Sequence, residues 1–236
     1  DDVVDVSTLR RGRVTANAQW GNAPSVLVGD FIYSRAFQIL VEIGDLAIMG
    51  LMADATNVIS EGEVQQLANA GNAEVSEDIY LQVIYRKTAK LFEAASEAGA
   101  LLTDADRTAM ASYGKHLGMA FQIADDVLDY LGDVELIGKN VGDDLAEGKM
   151  TLPLIYARNH TEGADRALIC DAINNKSAKN FSAIVNLVRE SGGIDYSMKC
   201  AQAEANLAKQ ALEGLSGSPF VAVMNELADF SVSRLS

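Results

Sequence analysis

Two aspartate clusters of the same form stand in one chain: Asp1-Asp2-Val3-Val4-Asp5 at its start, and Asp125-Asp126-Val127-Leu128-Asp129 further on. In each cluster the first and last aspartates are four positions apart. On a helix they would share one face, roughly 6 Å from each other. Left alone, such a pair is unfavourable, because like charges at this spacing repel and aspartate is a mediocre helix former. A divalent cation removes that penalty. Mg²⁺ takes hard oxygen ligands and is commonly shared between one or two carboxylates and the phosphates of a substrate. Two clusters facing each other would hold Mg²⁺ ions around a diphosphate. The blander reading is a pair of solvated acidic helix ends, and the repetition of the motif together with its flanks argues against it.

Arg10 and Arg11 follow the first cluster closely. Guanidinium forks match phosphate oxygens with parallel hydrogen bonds, so carboxylate-held cations on one side and arginines on the other make a diphosphate clamp. Lys87-Thr88 is a polar pair inside a helical pattern, IYRKTAKLFEAA. Lys139 and Lys149 lie in GKNVGDDLAEGKMTLPL, a Gly-rich, charge-mixed stretch that reads as a loop over a site. Each lysine alone is more often a surface charge, but these are the basic residues close in sequence to the second cluster.

The rest of the composition sets bounds. At 236 residues, 49% hydrophobic with few aromatics, the chain suits an Ala/Leu-rich helical core. Its three prolines, Pro24, Pro153 and Pro219, leave room for long helices. A net charge of −14 argues against a nucleic-acid partner, which requires a basic surface. An anionic ligand is compatible with it only where cations and a few placed Lys or Arg supply local positive charge. Cys170 and Cys200 form no disulfide framework and read as thiols of a reducing, cytoplasmic compartment. No apolar run reaches the ~18 residues that span a bilayer. The chain opens inside a motif and without Met, so an upstream portion is expected, and targeting signals lie beyond this reading.

These groups need helices to position them. Residues 26–43, VLVGDFIYSRAFQILVEI, are apolar on a broad face and predict a buried helix. Further helices are expected over 46–70, 76–99, 104–131, 152–159, 164–174, 178–191, 195–215 and 219–235. Ser76 is a suitable N-cap, and the second Asp cluster falls near the C-terminal end of the 104–131 helix. There is no sustained period-2 alternation, no repeat and no Pro/Ser linker. The expectation is an all-α fold, one domain over 1–236.

At this point the chain resembles the trans-isoprenyl diphosphate synthase (polyprenyl synthetase) family, and within it the bacterial octaprenyl or similar long-chain type. The resemblance is carried by DDVVD with LRRGRVTAN, GDFIYSRAFQ, EGEVQQL, YRKTAKLFEAA, GMAFQIADDVLDY and GKNVGDDLAEGKMTLPL, over roughly the first two-thirds of the chain. It implies an isoprenoid-synthase-type helical bundle around a deep cavity, here lacking its N-terminal helices, and a homodimer. It also implies that Asp1 and Asp5, supported by Asp2, bind two Mg²⁺ ions and that Asp125 binds a third, with Asp126 and Asp129 nearby. Arg10, Lys87 and Lys139 would hold an allylic diphosphate, with Lys149 close to it, and Arg11 would hold isopentenyl diphosphate. Phe121 and Gln122 would line the site, and the oxygens of Thr88 and Gln122 would stabilise a developing allylic cation. The implied activity is chain elongation of a trans-polyprenyl diphosphate, a quinone side-chain precursor. The histidines, His116 and His160, need no role beyond structure.

The form Gly62-Glu63-Val64-Gln65-Gln66-Leu67 is similar to the GExxQL of longer-chain members, where farnesyl synthases tend to carry GQxxDL. The main chain-length determinants and a Gly-Gly-Lys segment of the family lie upstream of the first cluster and fall outside this sequence, which puts the fragment's own activity in doubt. The competing readings are a short-chain farnesyl or geranylgeranyl synthase, and a non-catalytic subunit of a heteromeric synthase. A class I terpene cyclase would replace the second Asp cluster, and an acidic metal-buffering protein would not explain the placed Arg and Lys residues.

Overall fold

The computed structural model describes residues 2–103, 105–131, 142–215 and 217–233. Helices dominate it. A hairpin of two-residue strands, β1 (Leu9–Arg10) and β2 (Arg13–Val14), pairs antiparallel and precedes α1 (Ala16–Trp20), α2 (Asn22–Ile43) and α3 (Leu46–Asn69). Then α4 (Glu77–Ile84) runs through a π-helical turn, Tyr85–Ala89, into α5 (Lys90–Leu101). The long α6 (Arg107–Leu131) carries the second Asp cluster. After it come α7 (Asp143–Glu147), α8 (Leu152–Asn159), α9 (Gly163–Asn174), α10 (Phe181–Glu190), α11 (Gly193–Ala211) and α12 (Phe220–Ser233).

Local signals explain the boundaries. Asp45 caps α3, accepting hydrogen bonds from the backbone N–H of Ala47 at 2.8 Å and Ile48 at 3.1 Å. Ser76 caps α4 from Ile79 N, and Glu77 and Asp78 complement the positive end of its dipole. The core lies around α6. On one side α11 meets it through Ala201, Ala205 and Ala208, all fully buried at helical spacing. On the other, α5 and the π-turn pack so closely that a Cβ at Gly118 would stand 2.6 Å from Ala89 Cα. Small side chains at both contacts let the helices approach, and burial of alanine-lined faces replaces large interlocking side chains. Larger side chains fill the layer beyond, where Leu145, Leu152, Leu154, Ile155, Ile169 and Ile173 are all fully buried.

Three expectations change here. The helix over 26–43 forms, as α2, but buries none of its residues: Leu27 is 67% exposed, Phe31 69% and Ile32 62%. Its apolar face is real, yet among the described residues only α1 and α3 pack on α2 to any extent, and they cover little of it. The first Asp cluster is not helical where it is described. Residues 2–6 form turns, and Val6 has φ 53°. Asp1 lies outside the described residues. The stretch read as one loop after the second cluster contains α7, while Lys139 lies outside the described residues.

Candidate active site

The site forms where α3, the π-turn, α6 and the 142–151 stretch meet the N-terminal hairpin. They enclose a cavity of about 1220 Å³ lined by Asp5, Arg10, Arg11, Lys87, Thr88, Phe121, Gln122, Asp125, Asp126 and Lys149. Those residues come from four separate segments, so the fold brings together most of what the sequence singled out. Asp2 and Asp129 are not on its wall.

The π-turn explains how Lys87 and Thr88 both face the cavity. A π-turn inserts one residue into the α-helical ladder and widens it locally, a device frequent at functional sites. Here it spans YRKTA and places the lysine and the threonine side by side. Lys87 Nζ donates to Gln66 Oε1 at 2.7 Å and pairs with Glu63 Oε2 at 3.0 Å, both from α3. Gly62 makes this possible: a Cβ there would meet Arg86 Cβ and Lys87 N at 2.8 Å. The motif GExxQL is therefore, in this chain, the partner surface of Lys87.

Facing this, α6 presents Gln122, Asp125 and Asp126. Asp126 is buried, with Tyr80 donating to its Oδ2 at 2.7 Å and Gln122 Nε2 to its Oδ1 at 2.8 Å. Burial and the charge of Asp144 push its carboxyl up to about 8, against the pull of the two hydrogen bonds. Asp129, fully buried, accepts from the backbone N–H of Gly142 at 3.1 Å. It secures the entry to α7 and stands off the cavity, so the i, i+4 pair of this cluster does not present two carboxylates to one ligand. The carboxylates on the wall are instead Asp125 and Asp126 from α6, Asp143, Asp144 and Glu147 from α7, Glu63 and Asp5.

On the hairpin side, Arg11 sits at φ 52° in the tight turn between β1 and β2, a conformation uncommon for a residue with a Cβ. Arg10 Nε meets Asp2 Oδ1 at 2.6 Å, which gives Asp2 a holding role at the rim. Lys149 reaches Asp5 at 3.5 Å and Glu147 more closely. Burial works against its charge, but Asp144, Glu147 and Asp5 together hold its ammonium above the ordinary lysine range. It ties the start of the chain to α7. Phe92 and Phe121 make an apolar wall, ring centroids 5.5 Å apart, beside the polar groups.

Among the described residues no three carboxylate, histidine or cysteine side chains converge as a ready-made metal cage. The donor set still fits a hard divalent cation: it consists of carboxylates, and such ions complete their coordination with water and substrate phosphates.

The polyprenyl synthetase profile matches residues 1–189. The chain belongs to the polyprenyl synthetase family. Octaprenyl diphosphate synthase of Haemophilus influenzae is 50% identical over 238 residues, 99% of this chain and 72% of that protein. A crystal structure of a polyprenyl synthase from Caulobacter crescentus, complexed with calcium and isoprenyl diphosphate, superposes with a TM-score of 0.96 at 44% identity, over 100% of this chain and 74% of that one. A decaprenyl diphosphate synthase from Rhodobacter capsulatus gives 0.93 at 41%, over 100% and 74%. The helical bundle around the cavity is thus the all-α isoprenoid-synthase fold of this polyprenyl synthetase family. Sequence reading missed Tyr80, Glu63, Gln66, Asp143, Asp144 and Glu147 as members of the site. The last three sat in the stretch already read as covering it, and their three carboxylates within five residues were the available signal.

Proposed function

We propose that the chain is the catalytic body of a trans-polyprenyl diphosphate synthase. It joins isopentenyl diphosphate to an allylic diphosphate and makes products of octaprenyl length or similar, of use as quinone side-chain precursors. The observation that carries this is one cavity holding Arg10, Arg11, Lys87 and Lys149, opposed carboxylates, and an apolar wall. We read 1–236 as one all-α domain. The long-chain assignment, over a short-chain one, follows the octaprenyl and decaprenyl relatives.

Divalent cations, Mg²⁺ in our reading and about three of them, would be held by Asp1 and Asp5 on one side and Asp125 on the other, and when bound supply Lewis-acid polarisation of the leaving diphosphate. Arg10, Lys87 and Lys139 orient the allylic diphosphate, and Arg11 that of isopentenyl diphosphate, through charge-assisted hydrogen bonds. Phe92 and Phe121 keep water from the allylic carbon. The allylic C–O bond breaks with its electron pair on the diphosphate. The double bond of isopentenyl diphosphate supplies the pair for the new C–C bond, and the proton lost passes to the released diphosphate. The oxygens of Thr88 and Gln122 face the positive charge while it lasts. The test is chromatography of products from the intact protein with isopentenyl diphosphate, farnesyl diphosphate and Mg²⁺. A ladder ending near eight isoprene units is expected; no elongation, or a stop at 20 carbons, would refute the long-chain reading.

We also propose a homodimer formed on the apolar face of α2, where Leu27, Phe31 and Ile32 stand exposed. A contiguous apolar face of this kind marks an interaction site, and symmetric pairs are the commonest assembly. Light scattering on the intact protein at micromolar concentration should give twice the protomer mass, and Phe31→Glu should shift it towards the protomer. A wild-type monomer would overturn this. No helix among the described residues is long and apolar enough to cross a membrane. With Cys170 and Cys200 both free thiols, we place the enzyme in the cytoplasm.

A further inference from the structure

Tyr80 lies on α4, two turns before the polar pair of the π-turn, and is 5% exposed. Its hydroxyl begins a chain of three hydrogen bonds. Tyr80 donates to Asp126 Oδ2 at 2.7 Å, Gln122 Nε2 donates to Asp126 Oδ1 at 2.8 Å, and Thr88 Oγ1 donates to Gln122 Oε1 at 2.8 Å. The chain links a buried phenol on α4, through α6, to a hydroxyl on the cavity wall.

Each bond sets the direction of the next. The phenol, with burial and Asp126 holding its ionisation well above the ordinary tyrosine range, has a proton to give and turns one carboxylate oxygen towards itself. That fixes the carboxylate plane and aims the other oxygen at Gln122. Gln122 presents its NH₂ to that oxygen at 2.8 Å. Its carbonyl oxygen is left for Thr88, which commits its single proton there. What Thr88 offers the cavity is lone pairs.

We infer that Tyr80 is a positioning residue that fixes, through Asp126 and Gln122, the electronegative face which Thr88 and Gln122 turn to the allylic carbon as the diphosphate departs. The inference rests on the prenyl-transfer reading above. Without the phenol proton the Asp126 carboxylate can turn, Gln122 loses its anchor, and Thr88 can swing its O–H into the cavity. A donor proton would then face a carbon that is gaining positive charge. Tyr80 borders the cavity but commits its hydroxyl proton to Asp126; its effect is on the charge distribution of the wall, which matters only while the cation exists.

Tyr80→Phe keeps the ring in the core and removes the hydroxyl. In the intact protein, single-turnover and steady-state kinetics with farnesyl diphosphate and isopentenyl diphosphate should show kcat lower by about tenfold, the loss of one hydrogen bond to a charged group, with both KM values within about twofold of wild type. A second readout does not depend on turnover. With ¹⁵N-glutamine labelling, and Gln122→Asn to assign the signal, the Gln122 side-chain amide should exchange with solvent at least about tenfold faster in Tyr80→Phe. Unchanged amide exchange would overturn the relay. Losses in KM and thermal stability that match the loss in kcat would reduce Tyr80 to a packing residue and overturn the inference as well. Absence of elongation by the wild-type protein would overturn the prenyl-transfer reading, whereas normal elongation by both proteins overturns only the inference drawn here.

Discussion

Asp125→Ala is expected to lower kcat by on the order of 10²-fold or more, and Asp129→Asn to leave it within a few-fold of wild type, although both belong to one five-residue motif. The difference follows from where the three carboxylates go. Asp129 is fully buried and spends Oδ1 on the Gly142 amide, an acceptor role that the oxygen of an asparagine can take over. Asp126 is engaged by Tyr80 and Gln122. Asp125 is the half-buried member on the cavity wall, which Asp5 and the α7 acids also line. In the reading proposed above, removing it withdraws a cation ligand where negative charge gathers on the leaving group, and such stabilisation is among the largest single contributions to a rate. Steady-state kinetics at saturating Mg²⁺ measures both variants, and calorimetric titration of Mg²⁺ in the presence of diphosphate should show weaker binding for Asp125→Ala. Turnover near wild type in Asp125→Ala would remove the cluster from the cation site.

Gly62→Val should cost stability and substrate binding together. The added side chain meets Arg86 Cβ and Lys87 N at 2.8 Å and Arg86 C at 3.0 Å, two of them backbone atoms that cannot step aside. Overpacking of this kind costs about 3 kcal/mol, which for a chain of this size lowers Tm by roughly 6–12 °C. Relief comes only by moving α3 off the π-turn, and α3 carries Glu63 and Gln66, which hold Lys87. KM for the allylic diphosphate should rise several-fold beyond any loss of folded protein. Thermal unfolding followed by circular dichroism, with KM measured well below Tm, checks this. A Tm within about a degree of wild type would show that the contact is not as close as drawn.

The helices were legible because their apolar period and caps are local properties: Asn159 ends α8 and Ser76 caps α4 where the pattern said they would. The candidate site residues that meet at the cavity were legible as paired residue types at short spacing. What escaped depends on distance in space. The apolar face of α2 announced a need for cover, but periodicity cannot say whether the cover is in the same chain, and among the described residues it is largely missing. Glu63 and Gln66 were read as a marker of product length, while their contact with Lys87 crosses from one helix to another. Asp129 looked equivalent to Asp125 because spacing alone cannot show that a buried backbone amide claims it. The hairpin that aims Arg10 and Arg11 has strands of two residues, too short to alternate.

The wide turn at Tyr85–Ala89 also governs how this gene can change in length. It holds one residue more than an even α-helix would use for the same path. Deleting one residue there would let the ladder close into an even α-helix along the same path, so Phe92 would keep its place on the cavity wall while the polar pair Lys87-Thr88 would be broken up. A single-residue loss, which in a regular helix turns everything beyond it by about 100°, is here absorbed locally. Variation in length between relatives is therefore tolerable within these five residues, and an alignment gap falling there would signal a rebuilt polar wall and not a redirected helix.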